Sequence, residues 1–143
     1  MATTQLTARA TTQLGATILL RTLAVGLTLA TAAIHASLGG ALFMANAFGY
    51  TVLAIALIVP GAGSIRWLIR VGLLGFTAAT IAGWVLFGAR FPLAYADKAI
   101  EVVLIGVLAI DIWRLDGGPL GVARRARRLF ADAIRIGTGT MGR

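Results

Sequence analysis

The chain has 143 residues, 59% of them hydrophobic and 13% charged, and its 13 Lys and Arg against 5 Asp and Glu give a formal charge of +8. A water-soluble domain of this size leaves about a third of its area wet and cannot hide so much apolar surface, so the composition excludes a soluble globular fold and implies a bilayer. No cysteine is present, which excludes disulfides and thiolate chemistry.

Residues 1–16 are Thr- and Ala-rich and read as an N-terminal cytoplasmic segment. They do not read as a secretory signal, because the basic region is thin and the next apolar run shows no cleavage step. Four apolar stretches follow, at 17–38, 41–59, 67–87 and 95–113. Each is about long enough to cross a hydrocarbon core of roughly 30 Å as a helix. Gly39-Gly40, the Pro60–Ser64 run and the segment 88–92 punctuate them as turns. Inside the spans Gly26, Gly75, Gly83 and Gly106 are expected to let helices approach closely. The expected fold class is therefore all-α, a four-transmembrane-helix bundle over 17–113.

Charge placement orients the bundle. Eleven arginines (Arg9, Arg21, Arg66, Arg70, Arg114, Arg124, Arg125, Arg127, Arg128, Arg135, Arg143) fall on one side, and only Arg90 and Lys98 on the other. By the positive-inside rule this predicts a multi-pass protein of the bacterial cytoplasmic membrane with both termini in the cytoplasm. Trp67 and Trp113 then mark the inner boundary, and Trp84 and Tyr95 the outer one.

Each span carries one polar stripe when projected at 100° per residue. The stripes are Arg21, Thr28, Thr31 and His35; Asn46, Gly49 and Tyr50; Thr77, Thr80 and Trp84; and Asp97, Glu101 and Asp111 with Leu104 and Leu108. Polar groups facing lipid are costly, so these faces are expected to point inward. His35, Asn46, Asp97 and Glu101 share the outer third and form the candidate ligand or metal site, since imidazole and carboxylate are divalent-metal ligands. Lys98, three residues before Glu101, and nearby Arg90 offer the competing reading of a satisfied ion-pair network. Haem is the weaker alternative, because there is one histidine and Met44 projects away from Asn46. Asp111 is expected to pair locally with Arg114.

Residues 114–143 form a basic tail. Val122, Ala126, Leu129, Phe130 and Ile134 cover one arc of a helical wheel, while Arg124, Arg125, Arg127, Arg128 and Arg135 cover the other. Pro119 and Gly137 suit its two ends. This predicts an amphipathic surface helix docked on anionic inner-leaflet lipids or on a partner subunit, and not on nucleic acid, which would leave the apolar arc uncovered.

Two segments, Ile34-His35 through Asn46-Ala47-Phe48-Gly49-Tyr50 and Tyr95-Ala96-Asp97-Lys98-Ala99-Ile100-Glu101-Val102, resemble uncharacterised small four-helix integral membrane proteins of high-GC bacteria. The resemblance spans about half the chain, stops before the tail and implies a four-helix membrane fold without an activity. No nucleophile–base motif surrounds the histidine, so an enzyme is not expected, and no cofactor is assigned. The expected role is a non-enzymatic accessory or structural subunit of a larger membrane complex. The alternative is a small binding or transport protein with an outward-facing polar site at His35, Asn46, Asp97 and Glu101.

Overall fold

A computed structural model describes residues 2–60 and 62–139, with side-chain surroundings for 11–60 and 63–134. The side chains of Arg9 and Arg135, and Arg143 altogether, lie outside the described residues. The described part is all-helical: α1 (Ala2–Leu38), α2 (Ala41–Ile58), a short 3-10 turn (Ala62–Ser64), α3 (Arg66–Phe87), α4 (Pro92–Asp116) and α5 (Gly118–Gly139).

Three helices are long and apolar enough to cross a membrane: α1 over Thr11–Leu38, α2, and α3. The 25-residue α4 has the length, but it carries Asp97, Lys98, Glu101, Asp111, Arg114 and Asp116 and does not qualify on apolarity. The helix begins well before residue 17 because no proline interrupts the Ala-, Thr- and Gln-rich start, and Gly15 lowers propensity without breaking the ladder.

Neighbouring helices pack as a ring, α1 on α2, α2 on α3, α3 on α4 and α4 back on α1, with α5 against α4. The turns enforce the antiparallel order. Gly39 and Gly40 take φ of 67° and 80°, values that only glycine adopts cheaply, so α2 reverses two residues after α1. Pro92 opens α4 where its missing N–H costs nothing.

The centre is an apolar plug of Ala24, Ala32, Tyr50, Leu57, Leu73, Leu104 and Leu108. Outside it, Leu19, Leu29, Phe48, Val52, Ile55 and Leu86 stay exposed, as a lipid-facing surface requires.

Gly26, Gly75, Gly83 and Gly106 are not the close-approach glycines. A Cβ built on any of them meets nothing within 4 Å, because Gly26, Gly75 and Gly106 sit on outward faces and Gly83 lines a cavity. The tight crossing is at Gly49, where a Cβ would come within 2.7 Å of Phe76 Cζ.

The elbow between α4 and α5 is built by Gly117 (φ 74°) and Gly118 (φ 67°). One residue separates the helices, so the tail starts at Gly118 with Pro119 in its first turn, and α5 folds back on α4. At Gly121 a Cβ would overlap the carbonyl group of Asp116, which is backbone and cannot rotate away. Gly121→Ala is therefore expected to cost about 1–3 kcal/mol, the usual range for overpacking. Thermal unfolding in mild detergent measures it, and Gly106→Ala, on an open surface, should change nothing or stabilise slightly.

Candidate functional site

Four of the five acidic residues are buried: Glu101, Asp97, Asp116 and Asp111. Burying a carboxylate without partners is prohibitive, so each must be held by bases or hydrogen bonds. They fall into two knots on α4. Ten residues, about 15 Å of helix, separate Glu101 from Asp111, with Leu104 and Leu108 between them.

The first knot, around Glu101, draws on all four bundle helices. Lys98 Nζ lies 2.6 Å from Glu101 Oε2 and 3.0 Å from Asp97 Oδ2, bridging the two carboxylates. On the other side of Glu101, Tyr50 from α2 donates its hydroxyl to Oε1 at 2.8 Å, and Thr80 from α3 lies 3.0 Å from the same oxygen. Thr31 from α1 donates to Asp97 Oδ1 at 2.5 Å. Glu101 is fully shielded and Lys98 only 9% exposed, so these are buried ion pairs and not surface contacts.

His35 sits one turn beyond Thr31 and is 3% exposed. Its Nδ1 is 2.9 Å from the Thr31 carbonyl oxygen and 3.7 Å from Asp97 Oδ1. A carbonyl only accepts, so Nδ1 carries the proton, and in the neutral ring Nε2 is an acceptor. Among the described residues Nε2 has no hydrogen-bond partner, yet it is not among the sealed unpartnered atoms. Phe43 and Tyr50 pack beside the ring, with centroids at 6.0 and 5.7 Å.

Above this floor lies a cavity of about 410 Å³ between the ends of the helices that carry Leu38, Leu42, Phe87 and Phe91. His35, Asn46, Asp97 and Lys98 line it together with aromatic walls that include Phe43, Phe76, Trp84 and Phe91. Asn46, half-buried, makes no hydrogen bond with the described residues. At the rim Arg90 stacks on Trp84 at 4.1 Å and donates to the Val85 carbonyl. It takes no part in the carboxylate network; among the described Lys and Arg residues Lys98 alone supplies the cation.

His35, Asp97 and Glu101 thus converge, each with a ligand-type atom within 4.8 Å of the others. Asn46 lines the same cavity but is not part of this cluster. The metal reading meets an obstacle, because the ammonium of Lys98 already stands between the carboxylates where a cation would sit. A metal would have to displace it and leave a buried ammonium unpaired.

The second knot, around Asp116, was hidden from the sequence. Arg70 of α3 donates to Asp116 Oδ2 through Nε at 3.1 Å and Nη2 at 2.6 Å, and lies 3.6 Å from Asp111. Arg125 of α5 holds the other oxygen of Asp116 at 2.7 Å. Asp111 therefore pairs across helices with Arg70 instead of locally with Arg114, which is exposed. Arg125, expected on a lipid- or partner-facing surface, ties α5 to α4, while Arg124, Arg127 and Arg128 remain exposed.

No family model matches the chain, and no curated protein or solved structure matches it.

Proposed function

We propose that this is a four-span protein of the bacterial cytoplasmic membrane, with both termini inside, that binds a small and mostly apolar molecule in a chamber facing the outer side. One observation carries the reading: a charged floor assembled from all four bundle helices underlies an aromatic-walled cavity. Ionisable groups within a membrane are expensive, and functional sites are where they persist. Counting α4 as the fourth span is supported by its packing, since Asp97, Lys98, Glu101 and Asp111 are buried against neighbouring helices. The reading is non-enzymatic, because the hydroxyls beside His35, those of Thr31 and Tyr50, are buried and donate to Asp97 and Glu101.

The chamber gains support over a purely structural role from its loose ends. A network that only joined helices would leave no acceptor such as Nε2, and no amide such as Asn46, turned to an open space. The test is what the protein retains. Gentle detergent extraction followed by organic extraction and mass spectrometry should find a bound small molecule in wild type. Gly83→Leu, which fills the cavity from a site with free space around it, should lose that molecule and keep the fold. Wild type retaining nothing that Gly83→Leu lacks would refute the reading.

Orientation is tested separately. Cysteines at Ala41 and Ala89, both exposed at the cavity end, should react with an impermeant thiol reagent in intact cells. Cysteines at Ser64 and Asp132 should react only after permeabilisation, by the positive-inside argument. The reverse pattern would place the chamber on the cytoplasmic side.

The second reading, an accessory subunit of a larger membrane complex, is favoured by α5. Leu120 and Phe130 are 76% and 74% exposed, so the apolar arc of α5 needs a cover of lipid or protein. Exposed Arg124, Arg127 and Arg128 beside that arc suit the anionic inner leaflet.

A further inference from the structure

The chamber also indicates the chemistry of its ligand, an inference that rests on the binding reading above. Three groups of the floor and wall are open to a guest. In the neutral ring Nε2 of His35 is an acceptor without a partner among the described residues, because Nδ1–H is engaged by the Thr31 carbonyl. Lys98 has three N–H donors, of which Asp97 and Glu101 take two, so one is left on a side chain that lines the cavity. Asn46 offers an amide with no partner among the described residues.

Charge narrows the choice. Asp97 and Glu101 against Lys98 leave the floor with one net negative charge when His35 is neutral, which disfavours a carboxylate or phosphate guest. A cationic guest would meet the Lys98 ammonium at the floor and, at the rim, a Trp84 face already covered by the Arg90 guanidinium. A neutral hydroxyl meets neither objection. It can donate to Nε2 and accept from Lys98 at once, so both loose ends are satisfied by one group. The walls specify the rest, since Phe43, Phe76, Trp84 and Phe91 line the cavity with aromatic surface suited to a flat ring.

We infer that the chamber takes a neutral aromatic alcohol, a phenol or the hydroxyl end of a quinol, with its ring among the aromatic walls and its O–H between His35 Nε2 and Lys98. Binding alone is meant, with no redox step.

Four naphthalenes that share one ring system test this: 1-naphthol, 1-methylnaphthalene, 1-naphthoate and 1-naphthylmethylammonium. Equilibrium dialysis against the full-length protein in lipid nanodiscs gives their affinities, with empty nanodiscs correcting for partition into lipid. The expected result is 1-naphthol bound at least about ten-fold more tightly than each of the other three, one satisfied pair of buried polar groups being worth about that factor. His35→Phe, which keeps a ring against Phe43 and Tyr50 but removes Nε2, should bring 1-naphthol down to the level of 1-methylnaphthalene. The wild-type comparison decides the matter even if that variant fails to assemble. Equal affinity for 1-naphthol and 1-methylnaphthalene, or a preference for the ammonium or the carboxylate, overturns the alcohol inference and leaves the binding reading standing. Saturable binding of none of the four by a folded protein overturns the inference; the retention comparison with Gly83→Leu then decides the binding reading by itself. A naphthohydroquinone tested beside 1-naphthol separates the two sources. Tighter binding of the diol, lost on Asn46→Leu, supports a quinol, and equal binding supports a simple phenol.

Discussion

Lys98→Met is expected to destabilise the bundle by about 3–5 kcal/mol, more than any other single change in the knot around Glu101, because it strips two buried carboxylates of their only Lys or Arg partner among the described residues. Glu101 and Asp97 sit 2.6 and 3.0 Å from the ammonium, and Arg90 is engaged with Trp84 and cannot replace it. Glu101→Gln is the instructive contrast. It leaves Asp97 against Lys98, a balanced pair, and its amide oxygen can accept from Lys98 while its NH2 donates to the hydroxyl oxygen of Tyr50 or Thr80. Its cost should stay near 1 kcal/mol, the scale of an interhelical hydrogen bond in lipid. The double variant Lys98→Met/Glu101→Gln should then be more stable than Lys98→Met alone, although it carries one more substitution. Denaturant unfolding in mild detergent for the four proteins closes the cycle. A Lys98→Met protein as stable as wild type, or a double variant worse than both singles, would show that the knot is not held by charge balance.

The same residues show how far the sequence carries. The apolar runs, the Gly39-Gly40 turn and the i,i+4 spacing of Asp97 and Glu101 are local features, and a single chain displays them. The inward position of Thr31, His35, Tyr50, Thr77 and Glu101 follows from periodicity once lipid is taken as the solvent. Partner identity does not follow. Arg70 counts in the sequence only as one more positive charge at a helix end, and Asp116 reads as the start of a linker. Their pairing depends on how α3 is rotated against α4 and on an elbow that α5 closes within one residue. The glycines fail for a related reason: periodicity places a glycine on a face, but whether that face meets lipid or Phe76 is set by the bundle as a whole. α4 illustrates the opposite case. Its charges disqualify it as a span by composition, and the proposal that it is one rests on the burial of those charges against other helices.

At the other end of α4, Asp116→Ala should be as damaging as Lys98→Met, at about 3–5 kcal/mol. The Asp116 carboxylate is fully enclosed and receives two N–H groups of Arg70 on one oxygen and one of Arg125 on the other. Without it, Arg70 is buried with only Asp111 to face, at 3.6 Å and without a hydrogen bond. Asp111 is a poor substitute, since its second oxygen is itself sealed and unpartnered. Arg125→Gln should cost less than about 1 kcal/mol, because that side chain is 45% exposed and water screens the pair. The two variants should also differ in where they loosen the molecule. Asp116→Ala removes the anion that joins α3, α4 and α5, so α5 should become open to protease at Arg124 and Arg127 while the chamber at the far end still binds. Arg125→Gln should leave α5 protected, because Val122 and Ala126 still rest against the bundle. Limited proteolysis and unfolding of both variants measure this, and equal behaviour of the two would show that Arg70–Asp116 contributes no more than its exposed neighbour.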